Sequence, residues 1–147
     1  MFRWSYSESV ETDATAEQIW AMWEDVVNWP AWDSELEWVR LNGDFQQGTE
    51  GQMKPAGAPV VDFTLIEVCH NSCFVDRAKL PLTTLDFSHN YEMGSTDRRA
   101  MIHHSVEMKG FLAPLFGFVL GRKIKAHLRD AMEELSRRAL TVDTSKA

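Results

Sequence analysis

The chain has 147 residues, of which 44% are hydrophobic and 25% charged, a composition typical of a soluble globular protein with a single domain. Its formal net charge of −7 argues against a nucleic-acid partner, because phosphate binding needs a basic surface. The two cysteines are too few for the disulfide framework of a secreted protein, and Met1–Trp4 lacks the basic and apolar regions of a secretion signal. We therefore expect a cytoplasmic protein.

The first predicted elements are a strand and a helix. Aromatic and polar residues alternate over 2–7, which is the period-two pattern of a half-buried strand. Thr15 and Gln18 have the spacing of a capping box, which predicts that a helix begins at Thr15. Pro30 is expected to end this helical region. The apolar side of the helix consists of Ile19, Trp20 and Trp23.

Four further strands are predicted in the middle of the chain. They cover Leu36–Leu41, Thr49–Lys54, Val60–Val68 and Phe74–Leu80. The last two are expected to form a hairpin, because only a short polar turn centred on Asn71 separates them.

The clearest alternation lies in the next two strands, over 84–93 and 100–108. Every second residue is apolar or aromatic, or is a histidine, so each strand should have an inner and an outer face. By this parity His103 points outward. The predicted inner residues are Leu85, Phe87, His89, Tyr91 and Met93 on one strand, and Ala100, Ile102, His104, Val106 and Met108 on the other.

The last predicted element is a helix that begins near Pro114 and runs to about Leu140. Its apolar residues recur at helical spacing, and two glycines, Gly117 and Gly121, lie in or beside this stripe. Glycine destabilises a helix, so these two positions indicate close packing or space for a ligand. Residues 1–140 are interpreted as one ligand-binding domain and 141–147 as a polar tail.

The order of these elements resembles the helix-grip fold of the START-like, polyketide cyclase/dehydrase (SRPBCC) superfamily. Local features of the sequence also resemble that family: Ala16–Trp23 with Asn28–Trp32, the glycine-rich turn Gly43–Gly51, and Val106–Gly110 followed by Leu112–Leu115. The resemblance implies an α+β fold in which a seven-stranded antiparallel curved sheet wraps around a long C-terminal helix, with two short helices after the first strand. It also implies a hydrophobic cavity, but no single activity.

The inward histidines are the best chemical lead. His89 and His104 share the inner face of adjacent strands, so they should lie within about 4.5–8 Å of each other. Tyr91 is the next inward-facing residue after His89 on the same strand. These side chains could bond each other as polar core residues, contact a ligand, or transfer protons. The sequence leaves the three alternatives open.

No metal site is predicted. His127 on the last helix could join His89 and His104 in a zinc-like triad, but no short-spaced ligand pair supports it. Cys69 and Cys73 have C-x₃-C spacing without a second pair, which favours free cysteines beside a hairpin turn. We expect neither a metal nor a cofactor.

The function favoured by these observations is binding of a small hydrophobic molecule, such as a lipid, quinone or polyketide, by a carrier or sensor. An enzyme of the polyketide aromatase/cyclase or dehydratase type is the alternative, with a histidine and Tyr91 moving protons. The predicted ligand-binding residues are His89, Tyr91, His104, Phe87, Ile102, Ile124, Leu128 and Trp32.

The start of the last helix should expose apolar side chains. Leu115, Phe118 and Val119 lie off the inward stripe, and basic residues follow them. Such a patch could touch a membrane transiently, bind a partner protein, form a homodimer, or simply cover the ends of the strands.

Overall fold

The computed structural model describes residues 2–145 and has one seven-stranded sheet and three α-helices within that range. A 3-10 turn, Val26–Asn28, links the first two helices. The elements are β1 (Phe2–Thr12), α1 (Ala16–Glu24), α2 (Trp29–Trp32), β2 (Leu36–Leu41), β3 (Glu50–Pro55), β4 (Val61–Cys69), β5 (Cys73–Leu80), β6 (Thr83–Glu92), β7 (Ala100–Gly110) and α3 (Ala113–Ala139).

The sheet is antiparallel throughout, in the order β1-β7-β6-β5-β4-β3-β2. The 27-residue helix α3 packs against β1 and β7 and also contacts α1 and α2. This is the helix-grip arrangement, so the predicted fold class is confirmed. The predicted polar tail is described as far as residue 145, and its last two residues lie outside the described part of the chain.

The helices after β1 follow the predicted start signal but not the predicted end. The Thr15 hydroxyl accepts from the Gln18 amide, and the Gln18 side chain accepts from the Thr15 amide, which completes the capping box. Pro30 was expected to end the helical region, and this prediction is wrong. It lies in the first turn of α2, where its missing N–H needs no helical partner.

The predicted parity of β6 and β7 is confirmed inside the strands. His89 and His104 are directly opposite each other and both are buried. His103 faces outward, where its ring bonds the side chains of Ser9 and Glu92. The prediction for Met93 is wrong, because β6 ends at Glu92 and the Met93 side chain is exposed.

The glycines of α3 allow close packing. A Cβ atom added to Gly117 would lie 2.5 Å from Cδ1 of Trp4, and one added to Gly121 would lie 2.8 Å from Cζ2 of the same ring. The sequence left open whether these glycines allow close packing or leave space for a ligand. The structure shows close packing, with the helix backbone against the Trp4 ring. Within residues 2–145 no helix combines the length and apolar character needed to span a bilayer.

Candidate functional site

The space between the sheet and α3 is filled by aromatic rings. Trp23 of α1 and Trp29 and Trp32 of α2 are buried, and they point into the concave side of the sheet. Trp29 stacks on Phe63 of β4 and on Phe74 of β5, with ring centroids 6.2 and 5.7 Å apart. The region where the family resemblance implies a cavity is therefore closed by tryptophan side chains in this conformation.

His89 lies at the centre of this aromatic cluster. Its ring stacks on Phe74 at 3.9 Å and on Phe87 at 4.5 Å between centroids. Its Nδ1 lies 3.4 Å from the carbonyl oxygen of Phe74, to which the Nδ1–H tautomer would donate. Burial lowers the pKa of His89 well below its ordinary value, and the adjacent His104 lowers it further. His89 is therefore a neutral imidazole at physiological pH.

His104 is fully buried and differs from His89 in its hydrogen bonding. The two rings are 4.6 Å apart between centroids, yet neither nitrogen of His104 has a hydrogen-bond partner among the described residues. Burial lowers its pKa to about 3. A neutral imidazole offers one donor and one acceptor, so His104 has both available toward the interior.

Two tryptophans near His104 also have indole N–H groups that lack a hydrogen-bond partner among the described residues. The indole N–H groups of Trp23 and Trp32 are buried without a hydrogen-bond partner in the described part of the chain. Their rings lie 6.0 and 6.2 Å from the His104 ring, measured between centroids. Trp29, by contrast, donates its indole N–H to the carbonyl oxygen of Trp23. The unpaired groups thus amount to three N–H donors and one acceptor within an apolar interior.

Asp76 is a further titratable residue on the inner face, and the sequence analysis did not identify it as a site residue. It is buried on β5 directly opposite Phe87 and Leu65. Burial raises its pKa from 3.8 to about 8, with a further contribution from the Asp86 carboxylate. Asp76 therefore carries a proton at neutral pH and can donate it. Its neighbour Arg77 forms an ion pair with Asp86 and so faces outward. Because adjacent residues of a strand point to opposite faces of the sheet, Asp76 faces inward.

The other predicted ligand-binding residues lie on or near the same inner face. Tyr91 is half-buried and donates its hydroxyl to the carbonyl oxygen of Ala14 at 2.8 Å, so that hydroxyl is already engaged. Contact of any of these residues with a ligand stays a prediction. Those that pack in the aromatic core are Phe87, Ile102, Ile124, Leu128 and Trp32.

Of the residues considered for a metal site, the three histidines do not converge, whereas the ligand atoms of Cys69, Cys73 and Glu67 lie within 4.8 Å of one another. His127 lies at the surface, where its Nε2 is 3.4 Å from a carboxylate oxygen of Glu35. It is therefore not part of a triad with the two buried histidines. Cys69 and Cys73 are free thiols opposite each other at the hairpin end, and both lie 3.6 Å from a carboxylate oxygen of Glu67. The expectation of no metal stays a prediction.

Two open pockets of the described chain lie away from this cluster. One is a groove on the outer face of β1, β7 and β6, lined mainly by serine and acidic side chains such as Ser88, Ser105 and Glu107. The other lies over the turn between β2 and β3. Neither is lined by His89, His104 or Asp76. His89, His104 and Asp76 are buried, so a ligand that reaches them must displace the side chains that cover them.

Comparison with known proteins identifies the family to which this architecture corresponds. The family model described as polyketide cyclase / dehydrase and lipid transport matches residues 3–140. A search of the curated proteins gives no match to this sequence.

Several solved structures share the fold at low sequence identity. Truncated norcoclaurine synthase from Thalictrum flavum superposes with a TM-score of 0.71 at 14% identity, covering 97% of this chain and 96% of that one. The Zhui aromatase/cyclase from Streptomyces sp. R1128 has a TM-score of 0.74 at 11% identity, covering 95% and 94%. The di-domain ARO/CYC StfQ from the steffimycin biosynthetic pathway has a TM-score of 0.73 at 11% identity, covering 94% of this chain and 51% of that one.

Proposed function

Because this chain belongs to the polyketide cyclase / dehydrase and lipid transport family, within the SRPBCC superfamily, we propose that it binds a small hydrophobic molecule between the sheet and α3. A lipid, a quinone or a polyketide would suit this interior, since each combines a large apolar surface with a few oxygen atoms. In this role the protein acts as a carrier or a sensor. The inner histidines and tryptophans are the anchors of the ligand.

The observation that carries this proposal is the set of unpaired groups on Trp23, Trp32 and His104. An unpaired buried donor or acceptor costs about 1–3 kcal/mol, and natural cores leave few of them. A ligand oxygen that accepts hydrogen bonds from these groups would recover part of that cost. The aromatic surroundings favour a flat ligand that can replace the displaced rings by stacking.

A matched pair of probes tests this proposal. Fluorenone and fluorene have nearly the same shape and apolar area, but only fluorenone has a carbonyl oxygen. We expect fluorenone to bind about two- to thirteenfold more tightly, because a hydrogen bond contributes about 0.5–1.5 kcal/mol. Binding is measured as quenching of tryptophan fluorescence, and mass spectrometry of solvent extracts of the purified protein identifies any natural ligand.

The variants His104→Leu and His103→Leu provide the control. The two residues are neighbours in β7, but His104 faces the interior and His103 faces outward. His104→Leu should reduce the preference for fluorenone, while His103→Leu should leave it unchanged. Equal binding of the two probes would refute the role of the unpaired groups. A failure of both probes to bind, with no co-purifying ligand, would refute interior binding itself.

A second candidate function is favoured by Asp76. The inner face has a buried acid that keeps its proton and two buried imidazoles that stay neutral, which are the residue types that an aldol cyclisation uses as acid and base. In such a reaction His89 or His104 would remove a proton beside a ketone, the enolate carbon would form a bond to a second carbonyl carbon of the ligand, and Asp76 would protonate the resulting alkoxide. Transfer of the histidine's proton back to Asp76 would restore both groups. The alternative is therefore a polyketide aromatase/cyclase or dehydratase.

Turnover of a synthetic poly-β-ketone distinguishes the enzyme from the carrier. If the protein is a cyclase, Asp76→Asn should lower the cyclisation rate by about a hundredfold or more and change the affinity for fluorenone little. If the wild-type protein binds fluorenone but does not accelerate cyclisation, the carrier function remains and the enzymatic alternative is refuted.

A further inference from the structure

Six large apolar side chains are exposed together at one end of the molecule. They represent six of the eleven exposed large hydrophobic residues of the described chain, and each is more than half exposed. We refer to them as the apolar end. The apolar end consists of Phe2, Leu82, Phe111, Leu115, Phe118 and Val119.

The sheet and α3 bring these residues together. Gly110, the last residue of β7, is opposite Phe2 on one side and Thr83 on the other. The Phe111 amide donates to the carbonyl oxygen of Leu82 at 3.0 Å. The tip of the β5–β6 hairpin, the start of β1 and the end of β7 therefore meet where α3 begins.

The helical part of the apolar end is a continuous face. Leu115, Phe118, Val119 and Arg122 are spaced as i, i+3, i+4 and i+7, so they lie on one side of α3. The opposite side packs on the sheet through Gly117 and its neighbours. The Arg122 guanidinium lies over the Phe118 ring at 5.1 Å. This face is held by a packed helix and is exposed without any unfolding.

The charge around the apolar end is opposite to that of the whole protein. The segments 2–4, 79–85 and 109–125 contain six of the fifteen Lys and Arg residues and none of the twenty-two Asp and Glu residues. We call these six the basic belt. The basic belt consists of Arg3, Lys79, Lys109, Arg122, Lys123 and Lys125.

Little of this positive charge is neutralised locally. Within residues 2–145 the only acidic partner of the basic belt in an ion pair is Glu107, which lies 3.9 Å from Arg3 and 3.0 Å from Lys109. The three basic-belt residues of α3 form no ion pair in this range, although Lys123 donates to the carbonyl oxygen of Ala56. The molecule is thus polarised, with a basic apolar end and a strongly acidic remainder.

We propose that the apolar end docks on the surface of a membrane that contains anionic lipid. Aromatic and aliphatic side chains at the headgroup boundary, surrounded by Lys and Arg, are the combination that interfacial binding needs. The acidic remainder would be repelled by the same surface, so the polarity of the molecule also sets its orientation. This inference goes beyond ligand binding and does not require a ligand in the interior.

Flotation with lipid vesicles tests this docking directly. The purified 147-residue protein is mixed with vesicles of phosphatidylcholine alone, or of phosphatidylcholine with phosphatidylglycerol, and is separated on a density gradient. We expect it to float with the mixed vesicles, to float less with phosphatidylcholine alone, and to be released by added salt. Arg122→Gln and Lys123→Gln should each weaken binding to the mixed vesicles about fivefold.

The double variant Leu115→Asp/Phe118→Asp tests the apolar contribution, and Met93→Asp is its matched control. Met93 is also an exposed apolar residue, 79% exposed, but it lies beyond the opposite end of β6. The double variant should lose flotation and Met93→Asp should retain it, with both folded by circular dichroism.

If the wild type does not float, or if the double variant floats equally well, the proposal is wrong. A dimer that dissociates in the double variant, without flotation of the wild type, would instead assign the apolar end to a second copy of the chain.

Discussion

The two inner histidines have the same parity but different surroundings. His89 lies between the Phe74 and Phe87 rings and is within reach of a backbone acceptor. His104 lies opposite it, and neither of its nitrogens has a hydrogen-bond partner within residues 2–145. Their parity was predictable from the alternation in β6 and β7. The difference between them was not, because it depends on the tryptophans that α1 and α2 place against these strands.

We expect this difference to appear in stability measurements. His104→Leu should be neutral or stabilising in the absence of ligand, because it replaces an unpaired polar ring with an apolar side chain. His89→Leu should be destabilising by about 1–3 kcal/mol, because it removes stacked aromatic contacts and the bond to Phe74. Urea unfolding at neutral pH measures both values. The prediction is contradicted if His104→Leu is the more destabilising of the two.

At the level of the elements, α3 depends on close contact with β1. Gly117 lies directly against the Trp4 ring, and the helix has no side chain there to keep the two apart. Alanine is the better helix former by about 1 kcal/mol, so helix propensity and packing make opposite predictions for a substitution at this position.

Packing should dominate in Gly117→Ala. The added Cβ would lie 2.5 Å from Cδ1 and 2.6 Å from Cγ of Trp4, atoms near the base of that side chain that cannot move without shifting the ring. We expect a loss of about 1–3 kcal/mol in the free energy of unfolding. Gly43→Ala is the control, because its added Cβ would make only ordinary contacts with the Thr49 side chain, 3.4 Å from Cγ2 and 4.0 Å from Oγ1. A thermal melt in which Gly117→Ala is at least as stable as the wild type would contradict the close contact.

Most of the elements were predictable from the sequence, because alternation and capping are local signals. β2 and the capping box at Thr15 agree with their predictions residue by residue. Asp76 was not assigned, because Phe74 and Val75 are both apolar and leave the parity of β5 ambiguous. Arg77 resolves that parity only through its ion pair with Asp86 on the neighbouring strand. The filling of the interior by tryptophans likewise depends on how α1 and α2 pack, which no local pattern encodes.

At the scale of the whole molecule, the buried titratable groups make stability depend on pH in two opposite ways. The folded-state pKa values of His89 and His104 are below the ordinary value of 6.5. Below pH 6.5 the unfolded chain therefore binds protons that the folded chain does not, and stability falls as the pH falls. For Asp76 the folded pKa, about 8, is above the ordinary 3.8. Between pH 3.8 and about pH 8 the folded chain keeps a proton on Asp76 that the unfolded chain has lost, so the free energy of unfolding falls as the pH rises.

These opposing effects predict a stability maximum near pH 6.5. Above pH 6.5 the histidine contribution fades over about one pH unit and Asp76 comes to set the slope, which is at most about 1.4 kcal/mol per pH unit, so a net loss of about 1 kcal/mol is expected between pH 6.5 and pH 8. Asp76→Asn cannot ionise and should remove this loss, leaving a plateau on the alkaline side, while the decline on the acid side should persist because the histidines are unchanged. Urea unfolding from pH 5 to pH 8.5 measures both arms in the two proteins. An unchanged alkaline arm in Asp76→Asn would mean that Asp76 does not hold a proton in the interior, and the acid assigned to the enzymatic alternative would be lost with it.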